Sequence, residues 1–469
     1  MATQILDDPT TGDRRYVLTL GFGTTVAMWA VAYVARIPPA IVPNWLLLFL
    51  FLVCLAGGGY RAGRLTGGGW VAGLQVGLLA SALNVLILGS VLGGGDSGVP
   101  SAIWWLPGSM LAGAFFGALG GFFGQRASMK GGAATRQRTR EFQSGAGIAQ
   151  GDPTGTVVPA PADWTAGFGR VAAGATFLLL IVGGLVTSHG AGLAVVDWPN
   201  SFGYNMFLYP LSRMTGGVYY EHAHRLFGSL VGLTTLVLTL HLWKVERRAW
   251  VRAFATAAFV LVVVQGILGG LRVTGHFTTS TSAEVTRPDT RLAIVHGVTG
   301  QIFFGMMVAL AAFLSRTWKA GRPAHRLEGA GIDRGLAILF VAALFIQLCL
   351  GAFQRHMAQG LLIHIAMATV VSVVGLTAAI RASVHEKKGL AGTSILKRIG
   401  STILWLLGIQ VTLGIAALAT TGFSPALEPS SSLEVLLTTA HQATGALLLG
   451  ASALLVVWAH RLLQPASSK

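Results

Sequence analysis

The residues best suited to chemistry in this sequence are an acid and a set of histidines. EHAHR, Glu221 to Arg225, puts a carboxylate, two imidazoles and a guanidinium into five consecutive residues, just before a wholly apolar run. On a helix Glu221 and His224 lie three apart and share one face, a turn from each other. His222 points about 100° away from Glu221 and receives no role. Three further histidines, His296, His364 and His441, also stand near the start of long apolar runs. A neutral imidazole is a metal ligand and a proton carrier, and a carboxylate beside it can take up a proton or orient water. What these groups do depends on the elements that hold them.

Those elements read as membrane helices. The 469 residues are 53% hydrophobic and only 11% charged, with mean hydropathy +0.66, whereas soluble domains carry about 25% charged residues. Apolar runs long enough to span a bilayer recur. Twelve are expected, in two blocks: 16–36, 43–60, 70–93 and 102–124, then 166–187, 219–243, 249–271, 291–315, 335–353, 360–381, 399–420 and 434–459. Between the blocks, residues 125–164 are polar, basic and rich in Gly, Pro and Thr, a composition that reads as a flexible cytoplasmic linker. The fold class is therefore an all-α integral membrane protein of about twelve transmembrane helices. The first 15 residues, MATQILDDPTTGDRR, lack a basic stretch directly before a short apolar core, so no cleaved signal peptide is expected.

The net charge of +16 is explained by topology. With both termini inside, seven of the 33 Lys and Arg fall at the outer side (Arg36, Arg213, Arg225, Arg272, Arg287, Arg291 and Arg355), and the other 26 fall inside. That is the positive-inside pattern, and it requires no nucleic-acid partner; lipid is the partner implied. Cys54 and Cys349, the two cysteines, lie in apolar runs and form neither a disulfide framework nor a CxxC motif.

This topology sorts the twelve histidines. Four lie near inner ends (His241, His325, His385, His460) and four in outer loops or at the membrane edge (His189, His222, His276, His356). The remaining four, His224, His296, His364 and His441, lie in the first turns of helices two, four, six and eight of the second block, all starting outside. They share one depth in the outer leaflet.

The second block also repeats. QGILGG (265–270) precedes HGVTGQ (296–301), and QVTLGI (410–415) precedes HQATGA (441–446), with a Gln-to-His spacing of 31 in both. A weaker match pairs GLVTSH (184–189) with GAFQRH (351–356). The last eight helices thus form two tandem pseudo-symmetric four-helix bundles, about 165–334 and 335–469, each contributing two inward histidines. Imidazoles from facing helices can ligate a haem iron on both faces. Glycines such as Gly297, Gly300 and Gly445 admit a flat macrocycle to the backbone. Interhelical hydrogen bonding would explain one such histidine but requires neither equal depth nor duplicated position. Zinc or copper fits less well, because no cysteine or carboxylate pair completes a metal site.

Residues 165–465 resemble the haem A synthase family, membrane enzymes that oxidise a methyl group of haem O to the formyl of haem A for cytochrome oxidases. The resemblance rests on EHAHR (221–225), LGGL with HGVTG (268–271, 296–300), QLCLGAFQRH with IHIA (347–356, 363–366), GIQVTLG with HQATG (408–414, 441–445), and the outer loop GLAVVDWPNSFG (192–203). It implies that His224 and His296 flank the substrate haem, that His364 and His441 ligate a haem b that stays bound, and that Glu221 acts in catalysis as a proton acceptor or water-orienting group. A helix-start residue favoured by the macrodipole is the structural alternative for Glu221. Arg225, Arg355 and His356 are candidate partners of haem propionates, or interfacial anchors. The resemblance further implies haem O delivered by a haem O synthase, an external electron acceptor, and a bacterial cytoplasmic membrane with the haem sites near its outer face. The chain departs from some members in having no cysteine between 188 and 218, which excludes any route of electrons through loop thiols.

Residues 1–124 lie outside the resemblance and their helices hold no histidine. GGG runs at 57–59, 67–69 and 93–95 suggest close helix packing or turns, and the block reads as an accessory four-helix membrane domain. Two rival functions use the same residues. A two-haem electron carrier explains the four histidines but leaves Glu221 idle. A transporter explains the repeat, but transporters place polar groups near mid-membrane on broken helices, whereas the ionisable groups here lie at the outer edge.

Overall fold

The computed structural model describes residues 14–38, 41–87, 102–145, 163–276, 288–321, 324–387, 393–422 and 431–466. Among these, twelve helices are long and apolar enough to cross a membrane, as the sequence leads one to expect. They are α1 (Arg15–Ala35), α2 (Asn44–Thr66), α3 (Gly69–Ile87), α4 (Ala102–Gly145), α5 (Trp164–Ser188), α6 (Gly216–Val245), α7 (Ala249–Thr274), α8 (Thr290–Leu314), α10 (Ala330–Met357), α11 (Leu361–Lys387), α12 (Ser394–Thr421) and α13 (Ser432–Leu462). The single turn α9 (Arg316–Lys319) lies between α8 and α10.

Helix ends follow local chemistry. Asp289 Oδ1 accepts from the backbone N–H of Arg291 at 2.7 Å and of Leu292 at 3.2 Å and starts α8, while Ser431 Oγ accepts from Glu434 N–H at 3.2 Å and starts α13. Each satisfies donors the first turn leaves unpaired. Gly275, at φ 75°, ends α7 in the left-handed conformation that glycine adopts without a steric penalty. One boundary differs from expectation: α4 runs on to Gly145, into the stretch read as a linker. RASMKGGAATRQRTREFQ is rich in Ala, Arg and Gln, good helix formers, and a helix already begun elongates without a second nucleation cost. Residues 146–162 of that linker, and the 93–95 glycine run, lie outside the described residues.

The chain forms two compact units, Met1–Val171 and Ala172–Lys469. In the first, α2, α3 and α4 meet along glycines: a Cβ on Gly59 or Gly63 would overlap the carbonyls of Gly117 and Gly121, and one on Gly77 the carbonyl of Gly113. Lipid tails are as apolar as leucine, so helices in a bilayer associate through close packing rather than hydrophobic transfer. Polar pairs add to this, Trp29 Nε1 donating to Asn84 Oδ1 at 2.8 Å.

In the second unit α5–α8 make one bundle and α10–α13 another, in contact along α8–α13 and α8–α10. Phe340, Leu396, Ile403 and Leu448 are the fully buried centre of the second bundle. A two-residue antiparallel hairpin, β1 (Asn200–Ser201) with β2 (Tyr204–Asn205), shapes the segment between α5 and α6. At the basic end β3 (His325–Leu327) pairs in parallel with β4 (Leu463–Pro465), tying the connector between the bundles to the end of α13.

Candidate functional site

Each bundle brings two of the four histidines together. His224 of α6 faces His296 of α8 with ring centres 6.3 Å apart and planes at 88°. His364 of α11 faces His441 of α13 at 6.4 Å and 74°. The pairs are those the repeat suggests, the second and fourth helices of each bundle.

Every one of these imidazoles rests against a glycine of the preceding helix. A Cβ on Gly183 of α5 would stand 2.9 Å from His224 Cε1, one on Gly269 of α7 3.2 Å from His296 Cε1, one on Gly351 of α10 2.9 Å from His364 Cε1, and one on Gly414 of α12 3.0 Å from His441 Cε1. Any larger residue would push the ring away. Three of these glycines follow a glutamine by four residues: Gln265, Gln347 and Gln410. Gln347 Nε2 lies 3.2 Å from His364 Nδ1 and donates to the His364 carbonyl at 3.1 Å. Gln410 Nε2 lies 3.3 Å from His441 Nε2. Gln265 instead donates to Thr299 Oγ1, and the corresponding position before Gly183 is Leu179.

The imidazole pairs have the chemistry and spacing of axial metal ligands. With a metal–imidazole bond of about 2.0 Å and a nitrogen roughly 1.1 Å from its ring centre, two rings on opposite sides of one atom stand about 6.2 Å apart. Nδ1 of His224, His296 and His441 is buried without a hydrogen-bond partner. An unpaired buried polar atom costs about 1–3 kcal/mol, so a bound group that used these nitrogens would remove a penalty. The residues fit a group presenting one metal atom between two imidazoles.

The first bundle carries a further construction. The segment from His189 to Asn205 folds over its histidine end and is held from α6 and α7. Glu221 Oε2 accepts from the Val195 N–H at 2.9 Å, and Oε1 pairs with Arg225 Nη2 at 3.0 Å. Arg225 donates as well to the carbonyls of Val195 at 2.8 Å, Asp197 at 2.7 Å and Asn200 at 3.0 Å. The Trp198 indole packs where Gly270 of α7 has no side chain, and Arg272 donates to the Gly192 carbonyl at 3.1 Å. Asp197 accepts from Phe202 N–H at 2.7 Å and Gly203 N–H at 2.8 Å, closing the turn that Gly203 makes at φ 78°. His222, 1% exposed, meets Ser201 Oγ at 3.1 Å through Nδ1 and tilts against Tyr209. His189 stacks on Tyr220 at 4.0 Å, and burial holds its pKa below the usual value.

These contacts bear on Arg225 and Glu221 in particular. Four of the Arg225 donor hydrogens serve the loop and Glu221, so Arg225 orders the loop. Glu221, 4% exposed, has both oxygens engaged, which the helix-start alternative does not describe. Arg355 Nη2 donates to Ser188 Oγ at 2.9 Å, and Ser188 Oγ lies 3.0 Å from Thr439 Oγ1, so Arg355 joins α5, α10 and α13 at the histidine end. His356 is half-buried beside it. The glutamines and the cradling glycines were visible as a repeated Q-x-x-L-G, but their contact with the imidazoles was not.

A polytopic helical membrane protein with two paired-imidazole sites is the class these features define. The model of the cytochrome oxidase assembly protein family COX15-CtaA matches residues 166–365, so over that stretch the chain is similar to that family. The match contains His224, His296 and His364 and stops before His441, which is tied to the others by the internal repeat. No curated protein matches the chain.

Proposed function

We propose that the protein is a haem A synthase, an oxidoreductase that converts the C8 methyl of haem O to the formyl of haem A. In this reading His224 and His296 hold the substrate haem, His364 and His441 hold a resident haem b, and the histidine end faces outward from a bacterial cytoplasmic membrane. The observation that carries it is an asymmetry: both bundles present an imidazole pair of the same separation, but only the first has a carboxylate, Glu221, within one turn of a ligand. An electron carrier needs no such group. Bound haem would supply the redox chemistry; the chain would position it and move protons.

Oxidation of the methyl to a formyl with water supplying the oxygen atom (R–CH3 and H2O giving R–CHO) releases four protons and four electrons, which the external acceptor must take. Glu221 would take up or relay protons at the histidine end, in a space the 189–205 loop closes to bulk water. Electrons would leave without loop thiols, by way of the second bundle to an external acceptor, and haem O would arrive from a haem O synthase.

The contacts of Glu221 favour a second reading of that residue, in which it latches the loop. Glu221→Gln and Arg225→Met, expressed beside a haem O source, separate the two by the haem composition of extracted membranes. A proton-transfer role gives a fall in haem A of about 10²–10⁴-fold for Glu221→Gln, both haem sites remaining loaded, with a smaller fall for Arg225→Met. Equal losses assign Glu221 to the latch. Haem b alone in both bundles of the unaltered protein would overturn the synthase reading.

A further inference from the structure

The glutamines one turn before the cradling glycines have no part in the reaction just described, and they are unevenly distributed. In the second bundle both imidazoles have one: Gln347 at His364 and Gln410 at His441. In the first bundle His296 has Gln265 nearby, but that amide is taken by Thr299, and the register position opposite His224 is Leu179. The helix pairs are otherwise built alike. Gly445, one turn after His441, gives room to Gln410, as Gly300, one turn after His296, does to Gln265.

We propose that Gln347 and Gln410 are positioning residues that clamp the ligand imidazoles of the second bundle, and that the lack of an equivalent clamp in the first leaves its haem free to exchange. The inference rests on the haem-ligating reading of the four histidines. When one ring nitrogen binds iron, the other carries a proton that needs an acceptor. Oε1 of Gln347 and Oε1 of Gln410 are buried without a hydrogen-bond partner, and each belongs to an amide already within 3.3 Å of a ring nitrogen. Turning the amide about its last bond presents that oxygen to the ring N–H. This fixes the tautomer and plane of the imidazole and raises its basicity toward the metal. In the first bundle Leu179 stands where an amide would face His224, and the Gln265 amide is engaged by Thr299, so neither ring there has an amide on it. An enzyme that must release its product from one bundle and retain a haem in the other needs this difference.

The test uses the full-length protein, purified in detergent with both sites loaded, and measures haem transfer to an excess of apomyoglobin. The unaltered protein should lose one haem fast and one slowly. Gln410→Leu and Gln347→Leu should each speed the slow phase about 10–100-fold, and Leu179→Gln should slow the fast phase. Redox titration separates clamping from mere packing. Gln410→Glu, a stronger acceptor, should lower the midpoint potential of the second-bundle haem and Gln410→Leu should raise it, whereas a space-filling role would move both variants in the same direction. Leucine variants with unchanged release rates, or glutamate and leucine shifts of the same sign, overturn the proposal. Failure of the unaltered protein to bind haem at all would instead remove the ligand reading beneath it.

Discussion

The two bundles of residues 172–469 share a plan and differ in how it is finished. Both put an imidazole on their second and fourth helices, with centres 6.3 and 6.4 Å apart, and both press each ring against a glycine of the helix before it. The first bundle then adds an acid, an arginine and a folded loop at its histidine end; the second adds an amide at each ring. The common part is steric, an imidazole pair resting on glycines, while the differing part is polar: a loop latched by Glu221 and Arg225 in the first bundle, and an amide at each ring in the second.

The comparison breaks most completely at the histidines. His364→Ala or His441→Ala should remove the haem of the second bundle entirely, leave the first loaded, and preserve the fold, as read by haem content per protein and by circular dichroism. Full haem retention in both variants would mean the second pair is no haem site. His224→Ala should do the converse.

The glycines test what the bundles have in common. Gly351→Ala and Gly183→Ala each place a methyl 2.9 Å from an imidazole carbon, so each should cost about 1–3 kcal/mol by overpacking and shift the absorption of the adjacent haem. The two effects should be of similar size. A Gly183 variant that is silent while the Gly351 variant is not would show that the cradle matters only where an amide also holds the ring.

A truncation lacking residues 1–150 removes α1–α4 and keeps all four ligands. It should insert and retain haem in both bundles, measured as haem per stably inserted protein. Loss of every haem would make the first unit necessary to the second.

The smallest effect is expected at the basic end of the first bundle. Arg248 Nε and Nη2 donate to Glu246 at 2.9 and 2.8 Å, and these hydrogen bonds hold its pKa down to about 2. Because the folded value lies below the unfolded one of about 4.3, the pair stabilises fully above the latter, and the contribution is lost as pH falls through about 2. Glu246→Gln should therefore cost no more than about 1 kcal/mol at pH 7, and the difference from the unaltered protein should shrink between pH 5 and pH 2 in thermal unfolding. A difference independent of pH would assign the loss to packing.

Much of this architecture is determined locally and is therefore legible in the sequence. Twelve spans follow from apolar runs, because a bilayer admits a backbone only when its hydrogen bonds are satisfied within the helix. His296 can be matched with His441 because duplication leaves the same letters at the same spacing, and His224 and His364 join them by standing at the start of the second helix of each bundle. Glu221 stands out because an acid so near a span must have a use. Other features depend on contacts between residues far apart in the chain. The continuation of α4 to Gly145 turns on elongation from an existing helix, which composition alone reads as a linker. The engagement of Glu221 with Val195, and of Arg225 with three loop carbonyls, joins residues 25 to 30 apart across an irregular loop with no periodicity to read. The contact of Gln347 with His364 requires the rotation of two antiparallel helices about their axes, which a sequence repeat does not specify. Periodicity and composition act residue by residue along the chain and determine which segments are helices and which side chains are unusual. The partner of each unusual side chain was decided by packing, because only close approach of separate helices brings a donor to a particular acceptor.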